Sequence, residues 1–134
     1  MTTVLDQLRE LNRTAAFNRW AGFEVVAAEE GSASLRLPWR ADLGQYVGTL
    51  HAGLMSALVD TACGYAANTV GGRVTASHCS VSYIAPGRGP SFLATARVVK
   101  AGRRQIFTEA EVHDERDGTP VLIATGQTIL VPLG

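Results

Sequence analysis

Two rhythms of apolar and polar positions run along the chain, and the change from one to the other marks its elements. In residues 4–20, Leu5, Leu8, Leu11, Ala15, Phe17 and Trp20 recur among polar neighbours at helical spacing. This predicts a short amphipathic helix, broken near Asn12, lidding one edge of the core. Residues 23–28 and 32–37 are strand-like runs joined by Glu29-Glu30-Gly31, a hairpin signal with glycine at the turn, and Pro38 ends the second run. Residues 39–47 have no period and predict a loop. Residues 48–67 then read as one helix: Leu54, Leu58, Thr61 and Tyr65 follow the helical repeat, while Met55, Val59, Ala62 and Ala66 widen the stripe until little polar surface remains. Such a helix is expected to be buried on nearly all sides.

Beyond Gly71-Gly72 the period falls to two. In residues 74–84, Cys79, Val81 and Tyr83 point one way and His78, Ser80 and Ser82 the other. Pro86 and Gly87-Arg88-Gly89-Pro90 close that strand. Residues 92–100 and 105–113 flank Ala101-Gly102-Arg103, and residues 121–131 follow the turn Asp114-Glu115-Arg116-Asp117-Gly118, which makes a three-strand meander. Connections this short fit only an antiparallel sheet. The predicted class is α+β, an antiparallel sheet wrapped around one long central helix. At 134 residues the chain is expected to be one domain, residues 1–134, burying about two thirds of its unfolded surface.

The central helix carries one charge, Asp60. Stacked above and below it are Gly53, Ser56, Ala57, Cys63, Gly64 and Ala67, all small, so either a neighbouring backbone or a ligand can come close to the carboxylate. No Lys or Arg occurs between Arg40 and Arg73 to pair with it locally. An ionised carboxylate withdrawn from water costs several kcal/mol unless it is paired or hydrogen-bonded. Asp60 is therefore read as a candidate functional acid, against the plainer reading of a buried Asp satisfied by backbone donors or a distant Arg.

Composition narrows the partners. Twelve basic and twelve acidic side chains cancel, so nothing in the charge balance points to nucleic acid or an anionic membrane surface. The longest apolar run is far short of a membrane span, and no cleavage signal follows the amphipathic start, which predicts a soluble, unprocessed protein. Cys63 and Cys79, without a CxxC, are expected to be reduced core thiols of a cytoplasmic protein. His51, His78 and His113 lack metal-ligand spacing, so no metal is expected. There is no Gly-x-Ser-x-Gly elbow and no phosphate loop. Trp20 and Trp39 read as core residues, with an acyl-pocket role as the alternative.

Residues 44–67, with the strand ending Tyr83-Ile84-Ala85-Pro86, resemble the hot-dog-fold acyl-CoA thioesterases of the phenylacetyl-CoA and 4-hydroxybenzoyl-CoA type. These show His-Gly-Gly, then Leu, then a catalytic Asp or Glu within the central helix, and the likeness extends loosely from Gly22 to Val131. His51-Ala52-Gly53 stands for the tripeptide and Asp60 for the acid. The resemblance implies hydrolysis of an acyl-CoA thioester to free acid and coenzyme A, with no cofactor beyond the coenzyme A of the substrate. It also implies an oxyanion donor at the Ala52 backbone N–H, where a helix start favours developing negative charge. Gln45, seven residues before Ala52, matches the family's Asn or Gln that polarises the carbonyl or positions water. His51 either orients the turn by a hydrogen bond or takes part in the chemistry, and Gly53 adjoins the substrate.

Two departures stand out. Ala52 replaces glycine, acceptable only at negative φ, and Gly64 lies where some members carry a hydroxyl, for which Thr75 and Ser77 are candidate substitutes. Arg88, Arg103 and Arg104, with Lys100, read as solvated turn residues or as contacts to the phosphates of coenzyme A. Ala52 and Asp60 are eight residues apart, ~12 Å along a helix, too far for both to touch one thioester carbon. The site is therefore expected to be shared across a homodimer, with pairing of dimers into a homotetramer also expected. A catalytically weak acyl-CoA-binding or regulatory protein on the same fold is the alternative. A dehydratase of that fold would need a histidine acting with an acid, against which the position of His51 argues.

Overall fold

A computed structural model describes residues 1–134. Two short helices, α1 (Val4–Thr14) and α2 (Ala16–Ala21), open the chain. Thr3 and Asp6 form a reciprocal capping box at the start of α1. The break falls at Ala15, three residues after the predicted Asn12, where the backbone turns extended. Gly22, at φ 90°, closes α2 in the left-handed conformation. α1 lies against β1, the predicted lid on one sheet edge.

Strands β1 (Glu24–Glu29) and β2 (Ser32–Pro38) form the expected hairpin. The long helix α3 spans Ala52–Gly71. It thus starts four residues later than the predicted 48–67 and runs four further, because residues 44–50 form a small loop closed by a Gly44–Leu50 bridge, and His51 caps the helix. β3 (Val74–Tyr83), β4 (Ser91–Ala101), β5 (Ile106–Asp114) and β6 (Val121–Pro132) complete one antiparallel sheet in the order β1-β2-β4-β5-β6-β3. The predicted meander is β4-β5-β6, and α3 carries the chain from β2 to the far edge, where β3 pairs only with β6.

The sheet wraps α3, which packs against β2 to β6. Leu58, Val59, Ala62, Cys63, Ala66 and Ala67 of the helix are wholly buried among Leu35, Phe92, Val112 and Ile123 of the strands. Helix burial is less complete than its sequence predicts, for Ser56, Ala57, Asp60, Thr61, Gly64 and Asn68 stay partly open. Cys63 and Ala67, placed with Asp60 by the sequence reading, face the sheet instead. The thiol of Cys63 is pushed up by burial to about 11, but Cys79 is exposed on β3 and is not the core thiol expected. Trp20 is half exposed, with the Arg40 guanidinium 4.9 Å from its ring centroid, and only Trp39 packs on the core, edge-on to Phe92. No helix is long and apolar enough to cross a membrane.

Candidate active site

The start of α3 is built from three pinned pieces of backbone. His51 N–H donates to the Leu43 carbonyl at 2.9 Å, Leu50 N–H to Gly87 at 2.9 Å, and Gln45 N–H to Thr49 at 2.8 Å. A helix start leaves four N–H groups without helical partners. Here Gly53 N–H donates to His51 Nδ1 at 2.8 Å, and Leu54 and Met55 N–H both reach the His51 carbonyl. The Ala52 N–H is the one left free, at an exposed position facing a cleft. Ala52 has negative φ, so the extra methyl relative to glycine brings no backbone strain.

His51 accepts at Nδ1, so its proton sits on Nε2 in the capping tautomer. Gly53 makes room for that ring: a Cβ there would stand 2.9 Å from His51 Nδ1. Gln45 turns its side-chain carbonyl back onto the Val47 N–H at 2.5 Å, which leaves the amide NH2 as the free end. Gln45, His51, Ala52 and Arg88 line one open cleft of about 640 Å³, together with Tyr46, Val47, Tyr83 and Ile84. The two tyrosines and Ile84 escaped the sequence reading as site residues. Their only signal is large apolar surface left uncovered, and that becomes visible only once strands are placed.

Asp60 lies in a different cleft, of about 390 Å³, with Leu11, Thr61, Gly64, Tyr65, Asn68, Arg73, Thr75 and Leu130. Nothing in the chain compensates the carboxylate, and burial alone raises its pKa above the ordinary Asp value of 3.8. Arg73 shares the cleft but forms no ion pair with it. Of the two hydroxyls considered in place of Gly64, Thr75 lines this cleft, whereas Ser77 donates to the Ile129 carbonyl at 3.3 Å. Ser56 and Tyr83 are hydrogen-bonded to each other, linking the open stripe of α3 to the end of β3 at the Ala52 cleft. Arg103 and Arg104 sit exposed in the β4–β5 turn and line neither cleft, and neither Trp20 nor Trp39 does.

The wall of the Asp60 cleft is stiffened from below. Tyr65 OH donates to Asn12 Oδ1 at 2.7 Å, Asn18 Nδ2 donates to both Tyr65 OH and Asn12 Oδ1 at 3.0 Å, and Asn12 Nδ2 donates to the Phe23 carbonyl at 2.9 Å. Burial pushes the Tyr65 phenol up to about 12, so it stays a neutral donor. One chain thus offers a carboxylate in one cleft and a free N–H, an amide and an arginine in another.

Comparison with known proteins bears on this arrangement. Residues 47–121, which hold α3 and strands β3 to β5, match the model of the thioesterase superfamily. The chain is similar to the acyl-coenzyme A thioesterase PaaI of Escherichia coli, 28% identical over 75% of this chain and 73% of that protein. It is also similar to human acyl-coenzyme A thioesterase 13, 27% identical over 95% of each. Among solved structures, a thioesterase family protein from Silicibacter pomeroyi superposes with a TM-score of 0.91 at 30% identity, covering 96% of this chain and 97% of that one. With its six-stranded antiparallel sheet closed around α3 and a family match over more than half its length, the chain is a hot-dog-fold protein that belongs to the thioesterase superfamily.

Proposed function

We propose that the protein hydrolyses an acyl-CoA thioester to the free acid and coenzyme A at a site shared by two subunits of a homodimer. The observation that carries this reading is the uncompensated Asp60 carboxylate on the open stripe of α3, in a cleft separate from the free Ala52 N–H. In this mechanism Asp60 of one subunit attacks the thioester carbonyl or activates the attacking water. The Ala52 N–H of the other, at the positive end of its helix, takes the negative charge that develops on the carbonyl oxygen. The Gln45 amide donates to the same oxygen or to the water, and His51 holds the turn in register through Gly53. Arg88, exposed in the lining of the donor cleft, meets the phosphates of coenzyme A. Arg103 and Arg104 take part only if the partner's cleft reaches the β4–β5 turn.

The exposed edge strand β3 supports pairing of two chains. A further pairing of dimers into a tetramer and a cytoplasmic setting, where Cys63 and Cys79 stay reduced, belong to the same proposal. The experiment is to mix the protein with a panel of acyl-CoAs and follow free thiol. Release with at least one acyl group is expected, and Asp60→Asn should lower kcat by ~10²-fold or more with the fold intact. Binding of acyl-CoA without thiol release, or near-wild-type turnover by Asp60→Asn, would favour an acyl-CoA-binding or regulatory protein on this fold.

A further inference from the structure

The chain buries one carboxylate completely, and it is not Asp60. Asp114, at the end of β5, has no solvent exposure; its Oδ2 forms an ion pair with Arg116 Nη2 at 2.7 Å and accepts from the backbone N–H of Arg88 at 2.8 Å. Arg116 Nη2 in turn donates to the Pro86 carbonyl at 3.1 Å. Two further polar atoms of the pair, Asp114 Oδ1 and Arg116 Nε, are buried without partners. An ion pair with a fully buried carboxylate and orphaned atoms is a poor source of stability compared with an apolar pair of the same size. Every side-chain hydrogen bond of this pair goes to the backbone of residues 86–88.

That loop is seated from the other side as well. A Cβ on Gly87 would stand 2.8 Å from the Phe92 ring and 3.0 Å from Leu50 Cβ, so only glycine lets the backbone lie this deep, and the Gly87 carbonyl accepts the Leu50 N–H two residues before Ala52. Glu115, between the clamp residues, donates its N–H to the Ser91 carbonyl at 2.9 Å and is held by both Arg36 Nε and Nη2. Arg88 therefore carries an exposed side chain on a backbone fixed at both sides, in the lining of the cleft that holds Gln45, His51 and the free N–H.

We propose that the Asp114–Arg116 pair is a positioning device for the coenzyme A end of the substrate, fixing residues 86–88 so that the Arg88 guanidinium stands ready for a phosphate. Asp114 and Arg116 touch no substrate and act through Arg88. The inference rests on the acyl-CoA reading above, but its test does not depend on turnover. Pantetheine shares the thiol arm of coenzyme A and lacks its whole nucleotide, phosphates included, so the ratio of the two affinities, measured by calorimetry, reports the nucleotide end, and its fall in Arg88→Met reports the phosphate contact within it.

Wild-type protein should bind coenzyme A at least about tenfold more tightly than pantetheine, the scale of one charge-assisted contact. Arg88→Met and Asp114→Asn should each shrink that ratio several-fold, and the double variant no further than Arg88→Met alone, because both act on one contact. Arg116 is partly exposed, so Arg116→Met carries the same expectation should Asp114→Asn fail to fold. A wild-type ratio near one, an Asp114→Asn or Arg116→Met ratio equal to wild type, or additive losses in the double variant would overturn the clamp. Absence of thiol release from every acyl-CoA, with the affinity ratios as expected, would overturn the hydrolase reading and leave the clamp standing.

Discussion

Asp60 owes its chemistry to what surrounds it in the chain: small residues, a partly open cleft and no cation within pairing distance. A carboxylate with pKa raised by burial binds its proton more tightly in the folded than in the unfolded state. Its contribution to stability is therefore most favourable below the ordinary Asp value of 3.8 and declines as pH rises through the raised folded value. Two outcomes follow from one variant. At neutral pH, Asp60→Asn should melt no lower than wild type while losing activity, and its Tm advantage should shrink on acidification through the titration of Asp60. The acid limb of the wild-type kcat/KM profile should fall at a pH above 3.8, because the ionised form is the reactive one in the proposed mechanism. A variant that melts clearly below wild type at pH 7 would show that Asp60 is a satisfied structural acid.

At the scale of elements, α3 is positioned by contacts at both ends. Its start is held by the His51 cap and by residues 44–50, while Tyr65 in its second half is tied to α1 and α2 through Asn12 and Asn18. Asn12 connects Tyr65, Asn18 and the Phe23 carbonyl in one buried cluster, so its removal leaves several polar atoms without partners. Asn12→Ala is expected to cost roughly 2–4 kcal/mol in urea unfolding, since unsatisfied buried groups cost about 1–3 kcal/mol each. Tyr65→Phe, which removes one hydroxyl and leaves Asn12 bonded to Phe23 and Asn18, should cost less. A smaller loss for Asn12→Ala than for Tyr65→Phe would mean that the two N-terminal helices are held by apolar packing of Leu8 and not by this cluster.

At the scale of the whole molecule, one chain does not complete the proposed site. Ala52 at the start of α3 and Asp60 two turns on line separate clefts, and β3 has an unpaired edge. The test is complementation between two disabled variants. Ala52→Pro deletes the free N–H and should be well tolerated in the fold, because proline suits the first helical position and His51, at φ −62° and ψ 134°, has the extended backbone that a following proline requires. Asp60→Asn and Ala52→Pro proteins should each be nearly inactive. After co-refolding, half the dimers are mixed and each holds one site with both groups intact, so roughly a quarter of wild-type activity should return. Mixed dimers without recovered activity would mean that each site is built within one chain.

The elements were legible in sequence because they depend on local periodicity: the six strands, the hairpin at Gly31 and the long apolar helix lie within a few residues of where the pattern puts them. Asp60 was legible for the same reason, as the single charge in an apolar stretch. Helix boundaries were less so, since the start of α3 is decided by His51, whose ring can cap only because Gly53 has no side chain. Tertiary structure decided whatever depends on residues distant in the chain. It left Cys79 exposed on an edge strand that reads like its neighbours, opened a stripe of α3 that looks buried all round, and separated Asp60 from Gln45, His51 and Ala52. It also buried Asp114, which in sequence is an ordinary turn acid, against the backbone of a loop 26 residues away. Period and turn chemistry specify which face a residue presents, and only the closing of the sheet around the helix decides what that face meets.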